Sequence, residues 1–145
     1  MFSMLRLPVA GLVAVSLWGR LAAVEVTLGE TVFTVPDGFT VERVAGPPLV
    51  DRPITASFDE QGRLYVSDSS GSNDPVKKQL AEKPHRVVRL EDRDGDGKFD
   101  HSVVFAERMM FPEGTLWHDG SLYVAAPPSI WRLTDTDGDG VADQR

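Results

Sequence analysis

Two nine-residue stretches, DRDGDGKFD at Asp92–Asp100 and DTDGDGVAD at Asp135–Asp143, place oxygen-bearing side chains at the same positions 43 residues apart. Asp92, Asp94 and Asp96 occupy positions 1, 3 and 5 of the first, and Asp135, Asp137 and Asp139 those of the second. Side chains so spaced in a tight turn can converge on a hard divalent cation, which takes about six to eight oxygens. Glycine at position 6, Gly97 and Gly140, lets the backbone turn where a side chain would clash. The backbone carbonyls of Lys98 and Val141 at position 7 would follow, with Asp100 and Asp143 closing the set at position 9.

An EF-hand would close with a bidentate glutamate at position 12. The first loop has Val103 there and the sequence ends before that position in the second, so neither is an EF-hand. The spacing D-x-D-x-D-G-x-x-D resembles instead the calcium-binding hairpin loops of integrin-type β-propellers. Without a closing glutamate the expected affinity is weak, roughly 10⁻⁴ to 10⁻³ M. Asp- and Gly-rich stretches are often no more than solvated turns. Two matching loops of four carboxylates each, which repel one another without a cation, favour the metal. With no His or Cys in either loop, the ion is expected to stiffen a hairpin and not to do redox or hydrolytic chemistry.

The elements that must carry these loops read as strands. Short runs rich in Val, Phe, Tyr and Thr, bounded by Gly, Pro and Asp, predict a mainly β chain. Candidate strands are Val24–Leu28, Thr31–Val35, Thr40–Val44, Ile54–Phe58, Arg63–Asp68, Arg86–Leu90, Ser102–Ala106, Thr115–Trp117, Ser121–Ala125 and Ile130–Leu133. DEQGRLYVSD at Asp59–Asp68 superposes on WHDGSLYVAA at Trp117–Ala126 with an offset of 58, and RVVRL at Arg86–Leu90 on SIWRL at Ser129–Leu133 with an offset of 43. The difference is a 15-residue insertion in the first copy, between Ser69 and His85. There Asp74 can cap a short helix, Pro75 suits its first position, Val76 and Leu80 share a face and Pro84 ends it. Periods of about 40 to 50 residues with about four strands each are those of propeller blades.

The expected fold is therefore all-β, an incomplete β-propeller of about two blades with an N-terminal hairpin and a short helix in a loop insertion. Its parts are a signal peptide at 1–23, a hairpin and lead-in strand at 24–46, and blades at 47–145, the first to about 107 and the second from about 108. Because a blade cannot bury both faces alone, the sequence reads as a piece of a longer protein, or as a truncated gene product.

Arg6, the apolar run Leu7–Trp18 and the small residues Ala22 and Ala23 make up a secretory leader. A buried N-terminal helix and an uncleaved anchor are the other readings of that segment. The chain of 145 residues carries a net charge of −7; residues 1–23 hold two arginines and no acid, so beyond them 13 Lys and Arg face 22 Asp and Glu, a net −9. That balance argues against nucleic acid or an anionic membrane as partner, leaving the membrane only through an uncleaved anchor. With no cysteine, the chain has no thiol nucleophile, disulfide, zinc-thiolate site or covalently held haem.

Three histidines remain. His85, near Lys77, Lys78, Lys83 and Arg86, could serve as a general base beside cations, though a solvated basic turn is the expected reading. His118 belongs to a hairpin turn and His101 to an ordinary strand. Met109, Met110 and Phe111, like Tyr65, Tyr123 and Trp131, are expected to pack within and between blades. Neither a GxSxG nucleophile motif nor a glycine-rich phosphate loop is present, so catalysis is not visible here.

The strings GFTVERVAGPPLVDRPITASFDEQGRLYVSD, HRVVRLEDRDGDGKFDHSVVFAE and IWRLTDTDGDGVADQR, within residues 37–145, resemble the N-terminal part of the PVC-type membrane-bound dehydrogenases. The propeller of that family looks like that of the pyrroloquinoline quinone-dependent glucose and sorbosone dehydrogenases. The resemblance implies a six- or seven-bladed propeller, oxidation of a sugar or alcohol in the full-length protein, and a cytochrome c module that this chain lacks. It implies an exported protein, periplasmic or at the cell surface. Residue by residue only the two calcium loops carry over. The alternatives are a non-catalytic cell-surface or polysaccharide-binding propeller, or a chain without function of its own.

Overall fold

The computed structural model describes residues 22–145, so the expected leader lies outside the described residues except for its last two. The fold is all-β with one short helix among the described residues, and the chain divides into two compact units between Glu42 and Arg43.

The first unit is a hairpin of β1 (Ala23–Leu28) and β2 (Thr31–Pro36), joined at Gly29, whose φ is +62°. Its apolar side chains Val24, Val32 and Phe33 stay exposed.

The second unit opens with an irregular segment. Thr40–Val44, expected as a strand, belongs to no ladder. Gly46, Pro47 and Pro48 turn the chain just beyond it, and the Val44 carbonyl accepts the Phe99 amide at 2.8 Å. Strands β3 (Pro53–Phe58), β4 (Leu64–Asp68), β5 (His85–Glu91) and β6 (His101–Met109) then form a four-stranded antiparallel meander in sequence order. A three-stranded meander follows, β7 (Gly114–His118), β8 (Ser121–Ala126) and β9 (Ser129–Leu133). Successive antiparallel meanders of this kind are the repeating sheets of a propeller.

Period-2 alternation sends the apolar residues of the first sheet to both faces. On one face Val66, Val88 and Leu90 bury against Val50, with Leu49 and Phe99 packed beside them. On the other, Tyr65, Val87 and Phe105 bury against Leu122, Val124 and Leu133 of the second sheet. Burial of each such side chain is worth about 1.5–3 kcal/mol, so this second cluster is what joins the sheets. Tyr65 lies edge-on to Phe105 and stacks on Trp117, both at 4.9 Å between centroids.

Two local expectations need correction. The superposition of Asp59–Asp68 on Trp117–Ala126 holds only from its glycine onward. Asp119 and Gly120, with φ of +48° and +71°, make a two-residue turn, so Trp117 is already a ladder residue paired with Leu122. The first copy uses a longer turn, in which the buried Asp59 carboxylate accepts the Gln61 and Arg63 amides, each at 2.9 Å, and the Arg63 Nε at 2.5 Å. Loop length sets hairpin register, and the extra turn residues displace the first strand of the two copies by one position.

The second correction concerns the helix α1 (Val76–Glu82). Pro75, and not Asp74, is its N-cap residue, and no side chain caps it. The Asp74 carboxylate instead accepts the Ser72 hydroxyl and pairs with Lys78, at 2.9 and 3.0 Å. Val76 and Leu80 are exposed; the residue turned inward is Gln79. A seven-residue helix has little face to bury, and here its orientation follows a polar partner, His85.

Candidate functional site

Both acidic loops lie in the connection that follows the third strand of their sheet, and each is folded on its own carboxylates. In the first, Asp92 Oδ1 and Oδ2 accept the amides of Gly95 and Gly97 at 2.8 and 2.9 Å, Asp94 accepts Asp96 at 3.2 Å, and Asp96 accepts Lys98 at 2.8 Å. In the second, Asp135 accepts Gly138 and Gly140 at 2.7 and 2.8 Å, Asp137 accepts Asp139 at 3.3 Å, and Asp139 accepts Val141 at 2.8 Å. The two networks correspond bond for bond. Position 4 as well as position 6 is left-handed in both, with φ of +78° and +87° at Gly95 and Gly97 and +83° and +95° at Gly138 and Gly140. The glycine at position 4 was legible as a repeated residue, but its role was not.

Position 9 ties each loop shut. Asp100 accepts the Arg93 amide at 3.2 Å; Asp143 accepts the Thr136 amide and hydroxyl at 3.1 and 2.6 Å. Position 8 anchors each loop to the segment before its sheet: the Phe99 amide donates to the Val44 carbonyl and the Ala142 amide to the Phe105 carbonyl, both at 2.8 Å.

Carboxylate oxygens of Asp92, Asp94 and Asp96 lie within 4.8 Å of one another, and so do those of Asp135, Asp137 and Asp143. Oxygens that ligate one calcium ion at about 2.3–2.6 Å are separated by at most twice that distance, so each trio fits a shared ion. The trios differ: Asp96 at position 5 completes the first and Asp143 at position 9 the second. Asp100 and Asp139 stand outside them, and Lys98 and Val141 enter the loop network through their amides. An oxygen that accepts one amide keeps a second lone pair, so these turns do not consume the donor set. The Gly97 amide, followed by that of Gly95, holds the Asp92 carboxyl below its ordinary value of 3.8.

A residue that sequence reasoning passed over sits beside the second loop. Arg89 of β5, 6% exposed, lies with its guanidinium against Gly140, where an added Cβ would meet Nη2 at 2.5 Å. It reaches Asp135 at 3.5 Å and Glu91 at 2.8 Å. No such group stands over Gly97. The repetition of arginine in RVVRL and SIWRL was the available signal.

At the opposite end of the first sheet, His85 is buried, 3% exposed, and is no solvated turn. The Ser70 amide points at Nδ1 at 3.1 Å, so Nδ1 is the acceptor and Nε2 carries the proton, donated to Gln79 Oε1 at 3.0 Å. Burial lowers its pKa below 6.5. Its ring stacks on Phe111 at 5.0 Å and walls a cavity of about 200 Å³ with Ile54, Ser69, Pro112 and Glu113. Nearby, the buried Asp68 carboxylate accepts the Asp51 and Arg52 amides at 3.1 and 2.6 Å and two Arg86 nitrogens at 2.8 and 2.7 Å. The cations expected around His85 thus divide: Arg86 serves Asp68, and Lys78 serves Asp74. His118 is an exposed strand end, and His101 opens β6 opposite Glu91.

No curated protein and no solved structure matches the chain. Residues 28–145, the hairpin's end and both sheets with their acidic loops, match the family described as Domain of unknown function (DUF7133), and the chain belongs to that family.

Proposed function

We propose that this chain is a calcium-braced section of an exported, propeller-bearing protein, in which each ion stiffens the outer hairpin of a sheet and holds it to the segment before it. The observation that carries this reading is the matching set of amide-to-carboxylate hydrogen bonds in the two loops, each with three carboxylates close enough to share one cation. The amide at position 8 links ion to scaffold, since ordering the loop orders the hydrogen bond to Val44 or Phe105. Arg89, near Asp135, offsets part of the negative charge of the second loop.

The resemblance to the PVC-type dehydrogenases supports a sugar- or alcohol-oxidising role for the full-length protein, with pyrroloquinoline quinone as cofactor and a cytochrome c module as electron acceptor outside this chain. The leader composition supports export to the periplasm or cell surface. One observation favours a second reading, a binding propeller without turnover: both ring nitrogens of His85 are committed to hydrogen bonds within the fold, so the histidine beside the cavity serves the insertion as a structural group.

The test of the metal reading is calcium titration of the full chain followed by calorimetry and thermal melting. The melting temperature is expected to rise by several degrees at millimolar calcium. Asp94→Ala combined with Asp137→Ala should abolish the rise. A melting curve that is the same in calcium and in chelator would remove the metal from the proposal.

A further inference from the structure

The second sheet repeats, on its free face, the features by which the first sheet is covered. In the first sheet Tyr65 and Arg89 are cross-strand partners, with Val87 beside them. The second sheet and its loop bury all three: Tyr65 stacks on Trp117, and Arg89 takes Gly140 and Asp135. In the second sheet Tyr123 and Arg132 are cross-strand partners in the same way, with Ile130 beside them. Here nothing covers them. Val87 is 0% exposed and its counterpart Ile130 is 78% exposed; Arg132 is open to solvent, and Leu116, Tyr123, Ala125 and Ile130 line a shallow apolar groove of about 290 Å³.

We infer that this face is a docking surface for a further β-meander of the same design, one that brings an aromatic residue to Tyr123 and an acidic D-x-D-x-D-G loop to Arg132. In that pairing the loop's position-6 glycine lies against the Arg132 guanidinium and its first aspartate forms an ion pair with it, as Gly140 and Asp135 do with Arg89. Charge complementarity selects this occupant: an apolar ligand or a lipid surface would fill the groove and leave Arg132 without an acidic partner. A second copy of this chain does not fit. Its second loop is already seated on Arg89, and the face of its first sheet next to the first loop is closed by Val50 and Leu49. The inference rests on the repeat and needs no ion in any loop.

The chain has no cysteine, so Ile130→Cys gives a single thiol on the face whose labelling rate reads its coverage. The rate is compared between the full chain and the same chain extended by its own residues 101–145 placed after Asp143, which continues the second loop as Asp100 continues into His101. Labelling is expected to slow at least tenfold in the extended chain, and Arg132→Glu should restore most of the lost rate. In the unextended chain Arg132→Glu should leave both labelling and melting temperature nearly unchanged. Labelling that stays fast on extension, or slows equally with Arg132→Glu, overturns the inference. Both arms are run in calcium and in chelator, so failure of the calcium reading shows as a lost metal dependence with the protection intact.

Discussion

Gly97 and Gly140 are the same residue by sequence position and differ in their surroundings. Both sit at positive φ, where a Cβ costs about 1–3 kcal/mol, but only Gly140 lies under a buried guanidinium. Gly97→Ala should therefore cost about 1 kcal/mol, the backbone contribution alone. Gly140→Ala should cost about 1–2 kcal/mol more, since Arg89 must leave a site where its charge is paired with Asp135 and Glu91. Chemical denaturation of the two variants decides this, and equal losses would mean that Arg89 moves aside freely. The contrast marks what a motif carries and what it omits: the D-x-D-x-D-G string specifies the turn, while the neighbour that seats it comes from a strand more than 40 residues away.

At the scale of elements, the insertion between β4 and β5 is held by one buried histidine. The Ser70 amide needs an unprotonated Nδ1, and Gln79 needs the proton on Nε2, so the neutral ring pins both ends of the insertion. Glu113 shares the cavity and would favour a charged ring, yet burial prevails and the folded pKa lies below 6.5. The unfolded chain then binds the proton more readily than the folded one. The stabilisation is complete above about pH 6.5 and is lost as the pH falls through the folded value. Limited proteolysis should cut residues 69–84 several-fold faster at pH 5 than at pH 7.5, and His85→Ala should be cut quickly at both. A cleavage rate independent of pH in the unaltered chain would refute the pin. The lysine-rich composition of this segment predicted a solvated turn; Gln79 and His85, six residues apart, gave no pattern from which their contact could be read.

At the scale of the whole second unit, cohesion between the sheets resides in one cluster. Phe105 is fully buried against Tyr65, and its carbonyl receives the Ala142 amide from the second loop. Phe105→Ala should destabilise by about 3–5 kcal/mol, a large share of the roughly 5–15 kcal/mol available to a domain. The melting temperature of the second sheet should fall with that of the first, as one transition. Two separate transitions would show that the sheets do not fold together.

The strands, the repeat and the short helix were legible in the sequence because they depend on period-2 alternation, turn residues and spacing, all of which are local. Nine of the ten strand positions followed from those signals, and the tenth, Thr40–Val44, did not form a ladder because a strand exists only where another strand pairs with it. The shape of each acidic loop was local for the same reason, since its aspartates bond to amides two to seven residues away. What only the tertiary structure decided lies between elements: Arg89 over Gly140, Tyr65 on Trp117, His85 against Gln79, and the position-8 amides on Val44 and Phe105. Such contacts join different elements, and no periodicity within one segment records the face another segment will cover.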